Sequence, residues 1–304
     1  MAKPLSPKPT AYRTPELLQP IQLLDLLELG GTTTAAAKAL GLSQPTVSRR
    51  ARHLVRDLNL KSNPDPHQRA LRYGGSSCLQ LLRRACQAHR LEAGAWRVGS
   101  CPWHQGLLQP LQPWTSVPGR FRHPRTWREL VAAHAIDAAV VSGLDLHLTL
   151  PELQQADRDG VDWNGCLLLP ISRSPLGLLM PPHTRGSPQR WSEVAVPAQQ
   201  FAPGLASVVR QQQWQCLHAA KSCHDAHAWS LWLHQHSRPV LATPAWAQHL
   251  KPHLPTWNWQ PWPHEASEQH WLLVLSRIWN EQPSLQALLG QVRSAMACSH
   301  AEAE

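Results

Sequence analysis

The sequence predicts a mixed architecture: an all-α helix-turn-helix unit at the amino terminus, followed by an α/β region of two lobes. Thr32 to Arg50 reads as two short helices around a tight glycine turn. Strand-like and helix-like segments then alternate from Ala95 to Ala297. A length of 304 residues also favours two or more domains over one core.

The first stretch, Met1 to Pro20, is broken by prolines and lacks an apolar signal core, so residues 1–14 are expected as a flexible tail. Leu17, Ile21, Leu24 and Leu27 or Glu28 then recur at three- and four-residue intervals, predicting a supporting helix from Leu17 to Leu29 that buries one stripe. Ala35 to Leu40 is a strong helix former whose small residues permit close approach, and Gly41 suits the left-handed conformation that ends a helix. Ser43 is placed to cap the next helix, with Pro45 in its first turn.

On that helix Val47, Ala51, Leu54 and Leu58 share one face, while Pro45, Ser48, Arg49, Arg52 and Arg56 point the other way. Gln44 and Thr46 stand at its leading end. Such a face can hydrogen-bond base edges and phosphates in a major groove. The bland alternative is an ordinary capped helix with a solvated basic side. Asn63-Pro64-Asp65-Pro66, flanked by Lys61, Arg69 and Arg72, reads as a wing that sets positive charge on the nucleic-acid backbone, or else as a merely solvated loop.

Cys78 to Leu91 has the helical period of a linker helix able to pack on a second subunit. Ala95 to Gly99 looks like a strand, with Ser100 expected to cap a helix running through Leu107, Leu108 and Leu111. A helix over Trp127 to Ala133 and a buried strand over Ile136 to Ser142 follow. A second lobe is expected beyond Leu167 to Pro170, with strands at Pro175–Pro182, Trp214–His218 and Pro239–Pro244 and a helix from Asp225 to His234. The chain then returns through Trp271 to Leu275 and closes with a helix from Ser284 to Ala297. Two such lobes leave a cleft, where small molecules usually bind.

Composition narrows the classes. A formal charge of +9 favours an anionic partner. With no run of about 18 apolar residues, no membrane association is expected, and the protein is expected in the cytoplasm. Seven cysteines form no C-x-x-C pair and leave one over, which suits reduced thiols. No Gly-x-Ser-x-Gly, P-loop, dinucleotide or zinc-hydrolase motif occurs, so no catalytic residues, no cofactor and no enzyme activity are expected. Cys216, His218, Cys223, His224 and His227, with His234 and His236 nearby, match no compact zinc spacing, so no metal ligands are expected. Cys101 is either a thiol of lowered pKa able to act as a redox switch or an inert, half-buried one. Fifteen tryptophans against two phenylalanines read as large core or interlobe fillers.

Gly31-Thr32-Thr33-Thr34-Ala35-Ala36-Ala37-Lys38-Ala39-Leu40-Gly41-Leu42-Ser43-Gln44-Pro45-Thr46-Val47-Ser48-Arg49 closely resembles the helix-turn-helix of the LysR-type transcriptional regulators. More loosely, Arg97 to Ser100, Ile136 to Val141, Gly177 to His183 and Arg238 to Pro244 look like strands of that family's effector domain. The resemblance implies a winged helix-turn-helix over residues 15–74, a linker and dimerisation helix over 75–94, and a two-lobed periplasmic-binding-protein-like effector domain over 95–298. It further implies a sequence-specific, dimeric or tetrameric regulator of promoter DNA, modulated by a small-molecule effector and able to recruit RNA polymerase. Carried over by position, it implies DNA contacts at Thr33, Thr34, Ser43, Gln44, Thr46, Ser48, Arg49 and Arg50, beside Arg52, Arg69 and Arg72 from the basic cluster. It implies effector contacts at Ser100, Thr149 and Thr243, with Cys101 adjoining the first.

This chain departs from the family pattern in three places. Leu60-Lys61-Ser62-Asn63-Pro64 replaces the usual segment before the wing, and the linker from Gly75 to Trp96 is short. Cys101-Pro102-Trp103-His104 replaces a small polar run, so bulky Trp103 is placed to fill a pocket other members leave open. The alternatives are therefore a regulator whose sensor is ligand-free, degenerate or responsive to redox or metal, or a cytoplasmic solute-binding protein.

Overall fold

The computed structural model describes residues 12–62, 71–73, 76–108, 117, 119–146, 160–182, 192–220, 222–223, 225–261 and 266–301. The expected wing, with Arg69, and the expected pocket residue Thr149 lie outside these.

The amino-terminal module is helical. A 3-10 turn (Glu16–Leu18) leads into α1 (Gln19–Gly30), followed by α2 (Thr33–Leu40), α3 (Gln44–Asp57) and α4 (Ser77–Glu92). Leu17 was expected in the buried stripe but is 85% exposed. Pro20 occupies the first turn of α1, so the regular helix starts after Leu17 and turns it away. Ile21, Leu24, Leu27, Ala36, Ala37, Val47 and Ala51 form the core of the module with Leu79 and Cys86 of α4. Each turn has its expected chemistry: Gly41 ends α2 in the left-handed region at φ 63°, and Ser43 Oγ accepts from the Thr46 amide at 3.4 Å.

The remainder builds two five-stranded sheets. The first has the order β1-β2-β10-β4-β3, from β1 (Val98–Ser100), β2 (Ala138–Ser142), β3 (Val161–Asp162), β4 (Cys166–Pro175) and β10 (Ser267–Leu275). The second has the order β7-β6-β8-β5-β9, from β5 (Gly177–Met180), β6 (Glu193–Val196), β7 (Gln215–His218), β8 (Val240–Ala242) and β9 (Asn258–Pro261). The chain leaves the first sheet at Leu176, and its return is marked there by the Leu176 amide donating to Ala266 O at 2.9 Å. This is the two-lobed α/β architecture expected from the alternating elements.

Helices cover the sheets: α5 (Gln105–Leu108), α6 (Pro124–Ala132), α10 (Ser276–Trp279) and α11 (Pro283–Ala301) on the first, and α7 (Pro203–Gln211), α8 (Ala226–His236) and α9 (Pro244–Leu250) on the second. The central strand β2, covered on both faces, is buried at every position. Ser100 does not cap the following helix. Pro102 takes the first position of a 3-10 turn (Pro102–His104), which moves the cap to Cys101, where no side-chain cap bond forms.

Helix α4 ties the module to the first lobe. Asp25 of α1 accepts from Arg83 Nε at 2.7 Å and from Arg97 Nη1 at 2.6 Å. Arg90, two turns along α4 from Arg83, makes a two-pronged bond to Asp137 at 3.0 and 2.6 Å, and Asp137 also accepts from the Arg97 amide at 2.7 Å. All five side chains are buried. The carboxyl end of α1 is held as well: Arg120 donates to Gly30 O at 2.9 Å, Arg122 to Leu29 O, and Arg72 to Gly31 O at 3.2 Å. Three guanidinium groups thus meet the negative end of the helix dipole. Gly31 is required here, since its φ is 70° and a Cβ would stand 1.7 Å from Arg120 Nη1.

Candidate DNA-reading face and a buried sensor cluster

Helix α3 buries Val47 and Ala51 and turns Ser43, Gln44, Arg49, Arg50 and Arg52 to solvent, with Thr46 and Ser48 half-buried. Its leading end is organised. Gln44 Nε2 donates to Thr33 Oγ1 at 2.9 Å, joining the two helices, and the Ser43 and Thr46 hydroxyls are 2.8 Å apart. Thr34 is exposed beside them, while Arg52 Nε reaches back to Ser48 O at 3.4 Å. The arrangement offers donors and acceptors along one exposed edge, with cations one turn on. Arg72 stands apart from this face: its guanidinium caps α1 and its amide donates to Glu28 Oε1 at 2.5 Å. Its expected phosphate role competes with that bond.

The expected effector residues are buried and spread. Ser100 ends β1. Thr243 is fully buried and its Oγ1 accepts from the Trp246 amide at 3.3 Å, so the hydroxyl caps α9. Burial pushes the Cys101 thiol well above its ordinary range, reinforced by Asp145 and Glu268. That is opposite to the lowered pKa a redox switch needs: the Trp103 and His104 amides at the turn act to lower it, but desolvation and the two carboxyls outweigh them. Trp103 fills the space between the lobes: it is 1% exposed, stacks on Trp246 with ring centroids 3.9 Å apart, and meets Phe121 and Trp229 edge-on.

The histidines and cysteines weighed for metal binding do not converge. His218 Nδ1 faces Pro197 O at 3.1 Å, His234 Nε2 faces His253 O at 3.1 Å and His236 Nδ1 faces Trp232 O at 2.9 Å. His224 lies outside the described residues.

A different set does converge. His104 of the 3-10 turn and Glu268 and His270 of β10 bring their ligand-type atoms within 4.8 Å of one another, all buried. His270 Nε2 lies 3.5 Å from Glu268 Oε2, and His104 Nε2 lies 3.9 Å from Glu268 Oε1. Neither Nε2 nor either Glu268 oxygen has a hydrogen-bond partner among the described residues. The Nδ1 atoms face outward, His104 towards Cys101 Sγ at 3.2 Å and His270 towards Ser172 Oγ at 3.3 Å. Desolvation, then His270, drives the His104 pKa down to about 3. Burial pushes Glu268 up, but His270 and His104, with the Ser142 hydroxyl, outweigh it and hold the carboxyl below its usual range. Neighbouring Asp145 is pushed well up by burial and by Glu268.

Alternation along β10 puts Glu268 and His270 on the face that continues as Leu272 and Val274. Opposite His270 the register shifts: His270 pairs with Ser172 and Trp271 with Pro170, leaving Ile171 as the extra residue of a bulge in β4. Pro170 has no amide to lose there, and bulges of this kind re-aim side chains. Sequence reading missed this cluster. The available signal was Glu-x-His at the start of an apolar strand, which alternation places on one side.

No protein-family model matches the chain, and no curated protein does. Among solved structures, an OxyR mutant of Corynebacterium glutamicum is similar at 12% identity and a TM-score of 0.50, over 96% of this chain and 94% of that one. A probable transcriptional regulator from Pseudomonas aeruginosa is similar at 14% identity and a TM-score of 0.50, over 91% of this chain and 96% of that one. At such identities the likeness is one of fold, and it spans the helical module and both lobes.

Proposed function

We propose that this chain is a divergent LysR-type regulator that binds promoter DNA sequence-specifically as a homodimer or homotetramer in the cytoplasm. One observation carries the reading: the capped, solvent-facing leading edge of α3, with Ser43, Gln44, Thr46, Ser48, Arg49 and Arg50 on a helix whose other face is buried. In this reading two α3 helices enter successive major grooves, Gln44 and Arg49 read base edges, and Thr33, Thr34 and Arg50 hold phosphates. The working units are residues 15–74 for DNA, 75–94 for pairing subunits and 95–298 for sensing. The resemblance in fold to OxyR and to a probable transcriptional regulator supports this reading.

A signal in the lobes would reach DNA only if it favoured one assembly over another. The buried Asp25–Arg83–Arg97 contact is the route at hand, since it joins α1, α4 and the start of the first lobe. Changed subunit spacing would alter DNA bending and the recruitment of RNA polymerase. The second reading, a sensor without the usual small organic effector, is favoured by Trp103, whose indole occupies the interlobe space.

The test is selection of genomic fragments by the full chain at about 0.15 M salt, followed by footprinting, because phosphate attraction alone is salt-sensitive. A dyad-symmetric protected site that loses about 1–3 kcal/mol of discrimination in Gln44→Ala or Arg49→Ala is expected. Binding without an enriched site would sink the regulator reading.

A further inference from the structure

We propose that His104, Glu268 and His270 form a binding site for one divalent first-row transition ion, of which Zn2+ is the representative, at the hinge edge of the first lobe. Two imidazoles and one carboxylate are an ordinary donor set for such an ion, with a further position left for water or a ligand atom.

The geometry separates this site from a buried ion pair. Four donors at about 2.0–2.1 Å around a tetrahedral ion stand roughly 3.3 Å apart. Here the donor atoms already lie within 4.8 Å of one another, with the two Glu268 contacts at 3.5 and 3.9 Å. A direct ion pair would bring them to hydrogen-bonding distance, yet both Nε2 atoms and both carboxylate oxygens are unpartnered among the described residues. Burying such groups without partners is costly. An ion between them would satisfy all three side chains at once.

The surroundings point the rings inward. Ser172 donates its one hydroxyl proton to Met296 Sδ at 3.1 Å, so towards His270 Nδ1 its oxygen accepts. His270 therefore carries its proton on Nδ1 and turns the Nε2 lone pair on Glu268. His104 Nδ1 faces Cys101 Sγ at 3.2 Å, so that with its proton on Nδ1 the ring presents Nε2 to the site. Outward hydrogen bonds of this kind orient metal-ligating histidines. The β4 bulge opposite His270 fixes the strand there. No Arg or Lys pairs with Glu268 among the described residues, which leaves a buried carboxylate without a fixed cation.

The site stands apart from the DNA reading, because metal binding is measured without DNA. Full-length protein stripped with chelator is titrated with Co2+, followed by its visible absorption, and with Zn2+ against a chromophoric chelator. One equivalent is expected to bind with a tetrahedral or five-coordinate Co2+ spectrum. His104→Ala and His270→Ala are expected to abolish that band. Ser172→Ala, which keeps every ligand, should weaken binding about 10-fold or more, as loss of an outer partner does. Glu268→Gln keeps shape if the alanine variants fail to fold, and should weaken binding at least as much. The pair His227→Ala and His253→Ala, at a separate surface contact, should leave the band unchanged. No bound equivalent in the wild type, or a band that survives Ser172→Ala and Glu268→Gln undiminished, overturns the assignment.

Discussion

Two buried polar clusters among the described residues differ in how their carboxylates are met. Around Asp25 and Asp137 each carboxylate is met by guanidinium groups at 2.6–3.0 Å, and the contacts cross from the helical module to the first lobe. Around Glu268 no guanidinium is at hand among the described residues: the carboxylate has two imidazoles at 3.5 and 3.9 Å, with the Ser142 hydroxyl and the Asp145 carboxyl nearby. The first cluster has the form of a joint, in which charge is neutralised where it is buried. The second has the form of a receptor, in which burial and donor atoms are arranged before a partner arrives. Side chains that do not satisfy one another are the better pointer to a ligand.

The largest test of that contrast is Asp25→Ala. It leaves Arg83 and Arg97 buried without their shared anion, and breaking such a pair costs about 3–5 kcal/mol. Denaturant unfolding of the full chain measures it, and a loss under about 1 kcal/mol would mean that the joint is not needed for stability.

Next in size is Trp103→Ala beside the receptor cluster. Removing a 1%-exposed indole stacked on Trp246 should cost about 3 kcal/mol or more in the same measurement. A variant of wild-type stability would show that the aromatic plug is dispensable and that the lobes are held elsewhere.

A smaller effect belongs to the edge of the joint, where His134 links Gln87 at 2.5 Å and Arg277 at 2.6 Å. Arg277 donates to Nε2, so the ring is neutral, and burial followed by Arg277 lowers its pKa to about 4. The unfolded chain therefore takes up the proton first. This contribution is intact above about pH 6.5, falls as pH drops towards 4, and changes no further below that. Discounted for solvent screening, the loss is about 1–2 kcal/mol. The pH slope of unfolding over that window should shrink in His134→Gln, and an unchanged slope would remove His134 from the account.

The smallest expected effect is the sharpest for the comparison. In chelator-stripped protein at neutral pH, Glu268→Gln should cost much less than Asp25→Ala, because no guanidinium is left buried without its anion and the imidazole contacts are long, at 3.5 and 3.9 Å. A cost as large as that of Asp25→Ala would make the two clusters alike and turn Glu268 into a structural ion-pair partner.

What could be read locally was read well. The cap at Ser43, the turn at Gly41 and the buried stripe of Val47 and Ala51 depend on residues within two helical turns. So do the strands at Ile136–Ser142, Trp214–His218 and Trp271–Leu275, each a short apolar or β-prone run. Leu17, Ser100 and Arg72 show where local reading fails: a proline one or more residues on shifts the helix start, and a long guanidinium finds a carbonyl on another element. For the candidate site only the α3 face was legible. The His104–Glu268–His270 cluster was not, since spacing along the chain carries no record of which strands become neighbours.

The sequence alone determined the helix-turn-helix, its basic exposed edge and the succession of strands and helices, because periodicity, capping and turn chemistry act over a few residues. The tertiary structure decided the rest. Strand β10 returns to the first sheet between β2 and β4 and carries Glu268 and His270 to His104, while α4 sets Arg83 and Arg90 between carboxylates from two units. Those meetings depend on how whole faces pack against one another, and only the folded chain brings such distant side chains into one dry space.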